Sequence, residues 1–168
     1  MLIGERKDQI HKSLYSREER ERRDASPWTT VQAILAPLQF IVFAVSLVFV
    51  FRYLSTGDGY ALTTASIIFK TLILYTIMVT GAIWEKAVFG QYLFVPAFFW
   101  EDVFSMLVLA LHTAYLIVTL FSLASPRAEM FIALAAYGAY IINAGQFLLK
   151  LRQARLQPSS SELSEEFA

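Results

Sequence analysis

The chain of 168 residues has no cysteine, only two histidines, and charged side chains at just 17 % of its positions. Without cysteine there is no disulfide framework, which excludes a small secreted domain stapled by bridges. With His11 in the N-terminal segment and His112 far from it, one chain cannot hold a haem between paired imidazoles. No His/Cys cluster has metal-site spacing, so no metal site is expected, and no glycine-rich phosphate or dinucleotide loop occurs. A soluble domain carries about 25 % charged residues, so the shortage of charge excludes an ordinary soluble enzyme. No basic patch is large enough to neutralise a run of phosphates, and nucleic acid is not an expected partner.

What is present is apolar: 57 % of the residues. Fourteen Lys/Arg balance fourteen Asp/Glu, but the first thirty residues hold seven bases and six acids and residues 150–168 hold three of each. Only Arg52, Lys70, Lys86 and Arg127, with Asp58, Glu85, Glu101, Asp102 and Glu129, are left for all of residues 31–149. The organisation expected is a charged cytoplasmic segment (1–30), a four-helix membrane domain (31–149) and a C-terminal tail (150–168), with Ser159–Glu166 disordered at its end. The runs 31–51, 60–84, 103–124 and 128–149 are each long enough to cross a hydrocarbon core, which takes about 20 helical residues. Turn signals, Ser55–Gly59 and Ser125–Arg127, separate the first from the second and the third from the fourth. The fold class is therefore all-α, an integral membrane four-helix bundle with an aromatic-rich link between helices 2 and 3. Near the span ends, nine Lys/Arg lie on the side of the termini and the 85–102 link, against Arg52 and Arg127 on the other. The excess of bases places both termini and the link in the cytoplasm. No small-residue cleavage site follows the first apolar run, so a cleaved signal peptide is not expected. The run Ser16–Asp24 reads as a solvated helix at the membrane surface.

Polar side chains are costly in hydrocarbon, so their placement is informative. Gln32 and Gln39 share a face of the first run, Asn143, Gln146 and Lys150 a face of the fourth, and Glu101, Ser105 and His112 a face of the third, while Thr76, Thr80 and Trp84 close the second. All four become polar toward the same end, a pattern that predicts a cavity open on the cytoplasmic side. For any single Gln, Asn or Thr the ordinary reading is a bridge between packed helices. Lys70 stands apart near the middle of the second span; it either snorkels or pairs with a neighbour, or it meets an acidic ligand group.

The segment 84–102, WEKAVFGQYLFVPAFFWED, holds seven aromatic residues, among them Trp84, Tyr92 and Trp100. Gly90 and Pro96 argue against one continuous helix. An aromatic belt at the interface is the ordinary explanation. Seven rings beside three carboxylates instead suggest walls for a flat apolar ligand with a few polar groups to orient it. Carboxylates in such surroundings are expected to keep a proton near neutral pH, which makes Glu85, Glu101 and Asp102 candidate acids and bases. His112 joins them about three turns deeper.

The segments WTTVQAILAPLQF (28–40), GAIWEKAVFGQYLFVPAFFWEDV (81–103), ALHTAYL (110–116) and NAGQFLLKLRQARL (143–156) closely resemble the 2-vinyl bacteriochlorophyllide hydratase family, over roughly residues 15–156. The resemblance implies a hydro-lyase of bacteriochlorophyll synthesis in the bacterial inner, photosynthetic membrane. It would add water to the C3-vinyl group of a chlorophyllide-type tetrapyrrole and leave a 1-hydroxyethyl group. No cofactor is expected, since the magnesium comes with the substrate. Membrane lipid and other pigment-synthesis enzymes are the expected partners. In such a reaction Glu85 or Glu101 would protonate the vinyl group and Asp102 or His112 would take a proton from water. Gln39, Lys70, Trp84, Tyr92, Trp100, Asn143 and Gln146 would line the substrate, Lys70 meeting its propionate. His112 would otherwise ligate the substrate's magnesium. The alternative function is a non-catalytic pigment-binding or photosynthetic-complex assembly protein; a small transporter is a weaker third.

Overall fold

A computed structural model of the chain describes residues 14–156. His11, Lys12 and the Ser159–Glu166 tail, on which three of the expectations above bear, lie outside the described residues. Five helices follow one another: α1 (Arg17–Ala25), α2 (Pro27–Thr56), α3 (Tyr60–Phe89), α4 (Phe99–Leu120) and α5 (Pro126–Leu156). The last four are long and apolar enough to cross a membrane. They show no polar face of the kind that a soluble helix turns to water, and large apolar side chains such as Val48, Phe51, Leu120 and Leu148 point outward, as suits contact with lipid chains.

The helix ends follow from local chemistry. In α1, Ser16 and Glu19 form a reciprocal capping box, with bonds of 3.2 and 2.6 Å. Pro27 and Pro126 occupy first-turn positions, where the missing N–H costs nothing. Two glycines in the left-handed region, Gly57 and Gly59, turn the chain between α2 and α3 within three residues. Gly90, also left-handed, stops α3 and opens the link.

The bounds differ from the expected spans. α3 continues through Phe89 and α4 begins at Phe99, so the link proper is only residues 90–98, and Glu85, Glu101 and Asp102 sit on helix ends. α4 stops at Leu120, because the chain turns at Phe121–Ser125 with Ser122 at φ 52°. α5 runs past 149 to Leu156, so the first part of the presumed tail is helical. α2 begins at Pro27, inside the segment 1–30.

α2 packs along α3 and α4 along α5, and the two hairpins face each other through α2–α5 and α3–α4. The start of α2, the end of α5 and the 90–98 link thus share one end of the bundle, called the link end here; the turns at 57–59 and 121–125 share the far end. The core at mid-depth holds Phe43 against Tyr137 and Tyr140, with ring centroids 5.2 and 4.9 Å apart. A second cluster, Tyr15, Val88, Val95 and Phe98, with Trp84 and Phe147 against it, seals the link end. Polar groups inside the bundle bond across helices, since lipid offers them nothing. Ser66 donates to the Thr63 carbonyl, Ser46 therefore donates to Ser66, and Tyr137 donates to Ser46 at 2.6 Å.

This relay is testable. Ser46→Ala leaves the buried Tyr137 hydroxyl unpaired and should lower stability by roughly 1–3 kcal/mol. Adding Tyr137→Phe should recover part of that loss. Thermal unfolding of the two variants in detergent micelles measures both steps; a larger loss in the double variant would refute the relay.

Candidate functional site

At the link end, α3 and α4 bring two carboxyl groups face to face. Glu85, four residues before the end of α3, and Asp102, in the first turn of α4, are 5 % and 3 % exposed and lie close enough for each to act on the other's charge. Asp102 Oδ2 also accepts the backbone N–H of Phe94 at 2.7 Å. Phe94 has φ 59°, a region that bulky side chains occupy only when surroundings hold them there. The Asp102 carboxylate is that restraint, so one group both shapes the link and faces Glu85. Glu85 Oε2 is buried and, among the described residues, unpartnered. Val95, Phe98 and Val88 cover the pair, with Phe98 set against Trp84 and Phe147 at 5.8 and 6.1 Å.

Glu101 stands beside the pair with a different partner. Its carboxylate meets Lys150 of α5 at 2.9 Å, and the same ammonium lies 5.4 Å from the Phe98 ring centroid. One turn deeper, Asn143 donates its amide to Ser105 at 2.8 Å. Lys86 turns away, to the Gly90 carbonyl at 2.6 Å and the Tyr92 ring at 5.4 Å. Of the three carboxyl groups, then, Glu101 has the cation, and Glu85 and Asp102 have each other.

The remaining expected site residues fall into three places. Gln39, Asn143 and Gln146 line the inner faces between mid-depth and the link end. Both amide atoms of Gln39, with Asn143 Oδ1 and Gln146 Oε1, are buried without a partner among the described residues. These faces are closed on one another, with Gln39, Ser105 and Asn143 all buried, instead of enclosing the open cavity expected. The open cleft, of about 440 Å³, lies outside the bundle between Leu14, Phe89, Val95, Pro96 and Ala97. Trp84 is part of the link-end cluster and donates to Thr29 at 2.9 Å, whereas Tyr92 and Trp100 are 59 % and 65 % exposed and face outward.

Lys70 and His112 form the third place. They meet at mid-depth, Nζ to Nε2 at 2.6 Å, away from the carboxyl groups. His112 Nδ1 bonds the Val108 carbonyl at 2.8 Å, so Nδ1 carries the hydrogen and Nε2 accepts from Lys70. Both ring nitrogens are thereby occupied. Lys70 Nζ lies 4.2 Å from the centroid of Tyr140 and 5.2 Å from that of Tyr137. Sequence reasoning missed those two tyrosines. Their signal was depth: tyrosine favours membrane interfaces, and this pair stands three residues apart in the middle of a span. Among the described residues no group of three or more His, Cys, Asp or Glu could hold a metal ion.

Residues 15–153 match the 2-vinyl bacteriochlorophyllide hydratase family. The 2-vinyl bacteriochlorophyllide hydratase of Rhodobacter capsulatus is 70 % identical over 151 residues, covering 90 % of this chain and 88 % of the relative. That of Cereibacter sphaeroides is 66 % identical over 152 residues, covering 90 % and 94 %. No solved structure matches. The chain belongs to the 2-vinyl bacteriochlorophyllide hydratase family.

Proposed function

We propose that this protein hydrates the vinyl group of a bacteriochlorophyllide-type macrocycle, with Glu85 as the proton donor and Asp102 as its carboxylate partner. The observation that carries the assignment is the buried Glu85–Asp102 pair with one unpartnered oxygen on Glu85. Two carboxyl groups this close and this buried repel as anions and share a proton as an acid and its conjugate base. Lys150 offsets that repulsion only in part, because its ammonium is held by Glu101 at 2.9 Å. The pair therefore keeps one transferable proton and one negative charge in the same place.

Water addition to a vinyl group needs both. The Glu85 carboxyl gives its proton to the terminal vinyl carbon, which becomes a methyl group. Positive charge develops on the adjacent carbon, where the conjugated ring spreads it, and the fixed Asp102 carboxylate stabilises it. Water attacks that carbon, and its surplus proton passes to the carboxylate pair, restoring Glu85. One water is consumed, no electrons change hands, and no redox partner is required. The magnesium is the substrate's own.

The excess of Lys and Arg at the link end supports a cytoplasmic location for that end, for both termini and for the carboxyl pair, in the bacterial inner membrane. The exposed rings of Tyr92 and Trp100 suit the lipid headgroup zone. They serve as anchors in this reading, and the buried carboxamides of Gln39, Asn143 and Gln146 serve the substrate. His112, with both nitrogens engaged, takes no proton from water.

Hydration of chlorophyllide by membranes carrying single variants tests the assignment. Glu85→Gln keeps shape and removes the proton, and turnover should fall by roughly 10²–10⁴. Asp102→Asn keeps an oxygen for the Phe94 N–H but loses the charge, so the protein should fold and turnover should fall as well. Glu101→Gln should have a much smaller effect, because its carboxylate is engaged with Lys150. Near-normal turnover in both the Glu85 and Asp102 variants sinks the scheme.

A further inference from the structure

The bundle is two hairpins, α2–α3 and α4–α5, and the ties between them are unevenly placed. Among the described residues, four side-chain hydrogen bonds cross from one hairpin to the other. Tyr60 meets Glu129 at 2.6 Å near the far end, and Tyr137 meets Ser46 at 2.6 Å. Lys70 meets His112 at 2.6 Å and Tyr75 meets Thr113 at 2.7 Å, both at mid-depth. From mid-depth to the link end, the side-chain bonds stay within a hairpin. Gln32–Thr80 and Trp84–Thr29 tie α2 to α3, while Asn143–Ser105 and Lys150–Glu101 tie α5 to α4. At the mouth the Glu85–Asp102 pair and the apolar cluster around Phe98 span the seam.

Among the described residues, most of the buried polar atoms without a partner lie along this untied half, the hydroxyls of Thr64 and Tyr115 toward the far end being the exceptions. Gln39 Oε1 and Nε2 and Glu85 Oε2 belong to one hairpin, and Asn143 Oδ1 and Gln146 Oε1 to the other. Gln39 is one turn toward the link end from Phe43, and Asn143 is one turn in the same direction from Tyr140, the ring that packs on Phe43. Buried polar atoms with no partner are uncommon in folded proteins, and several carboxamide oxygens along one seam, with the whole amide of Gln39, are groups that a polar ligand edge could satisfy. At the floor of the seam stands Lys70, wholly buried. Its one hydrogen-bond partner is the His112 lone pair, its ammonium lies against two tyrosine rings, and no carboxylate among the described residues neutralises it. An intramembrane cation without a counter-ion calls for an anion.

The geometry points to a substrate slot in this seam, with Lys70 as the group that receives the substrate's free carboxylate. This rests on the hydratase reading above and adds the orientation. The flat ring enters edge-on between the hairpins and its acid arm reaches down to Lys70, leaving the His112 lone pair and the tyrosine rings to steady the ammonium. The vinyl group at the opposite edge then lies beneath Glu85 and Asp102. The floor and mouth are ten residues apart on α4, His112 to Asp102, or about 15 Å of helix. With side chains reaching in from both ends, that gap suits one macrocycle with its carboxylate arm and is too short for two. Gln39, Asn143 and Gln146 stand between, beside the ring's edge. Lys70 touches no reacting atom, so it is a positioning residue, and its contribution belongs in binding.

The orientation is tested by comparing chlorophyllide with its methyl ester as substrates of the full-length protein in detergent or native membranes. For the natural chain the ester should show a kcat/KM at least tenfold below that of the free acid, mostly through a higher KM. In Lys70→Met the ratio of acid to ester should fall to about one, while Lys70→Arg, which keeps the charge, should retain the preference. Equal use of acid and ester by the natural chain overturns the proposal, as does an unchanged ratio in Lys70→Met. Should Lys70→Met not fold, the ratio in the natural chain still decides. Failure of the hydratase reading looks different: neither compound is turned over. Tryptophan-fluorescence quenching by acid and ester then still reads whether a carboxylate is preferred, and an equal response to both overturns the assignment of Lys70.

Discussion

The Asp102 carboxylate is the group on which the link end depends. It takes the Phe94 N–H at 2.7 Å and so holds a bulky residue at φ 59°. That turn folds residues 90–98 back over the ends of α3 and α5, where Val95 and Phe98 cover Glu85. With the cover in place, water is kept from the two carboxyl groups and their mutual repulsion is felt in a medium of low dielectric. The strain at Phe94, the burial of the pair and the sharing of its proton are thus one arrangement. A neutral group in place of Asp102 could fold the link, yet in the proposed mechanism only a carboxylate would also supply negative charge beside the developing carbocation.

Polar chemistry elsewhere in the bundle is sorted by depth. Toward the far end, Tyr60–Glu129 and Tyr137–Ser46 pair across the hairpins and Thr119–Glu129 within one, while the hydroxyls of Thr64 and Tyr115 stay unpaired among the described residues. At mid-depth, a lysine and a histidine satisfy each other among aromatic rings. Toward the link end, amides and a carboxyl oxygen are left with open valences. A protein selected only to hold four helices together in lipid would pair its polar groups throughout, because each unpaired group weakens the fold. The concentration of unpaired carboxamide and carboxyl atoms toward the link end is what a bundle that receives a polar-edged ligand there would show.

Much of this was legible in the sequence. Apolar runs of about 20 residues and the turn residues between them fix four spans within a few positions, and the asymmetry of Lys and Arg supplies an orientation. The three acids beside the aromatic link were visible for the same reason: charge is rare in 31–149, so each charged residue stands out. What periodicity could not supply was rotation of one helix against another. Glu101 and Asp102 are neighbours in sequence, yet one faces Lys150 and the other Glu85, because consecutive residues on a helix diverge by about 100°. The partnership of Lys70 with His112 joins residues 42 positions apart and depends on how α3 and α4 are set side by side. The helical extent of 85–89 was hidden by the aromatic run, which reads as interfacial whether or not it is coiled.

The closed seam bears on how such an enzyme works at all. A permanent cavity wide enough for a flat macrocycle would fill with lipid chains or water when empty, and water around the carboxyl pair would screen the interaction that holds its proton. Two rigid hairpins tied at one half and merely in contact at the other avoid both outcomes. The polar atoms on the seam keep the closed form from being too favourable, since closing leaves them unbonded. A ring that offers them hydrogen-bonding groups, and a carboxylate that offers Lys70 its counter-charge, binds the parted form better than the closed one. Only such a difference in affinity can shift the population toward opening. If the proposed slot opens for its ligand, the unpaired amides would favour that opening and the mid-depth bonds would limit it.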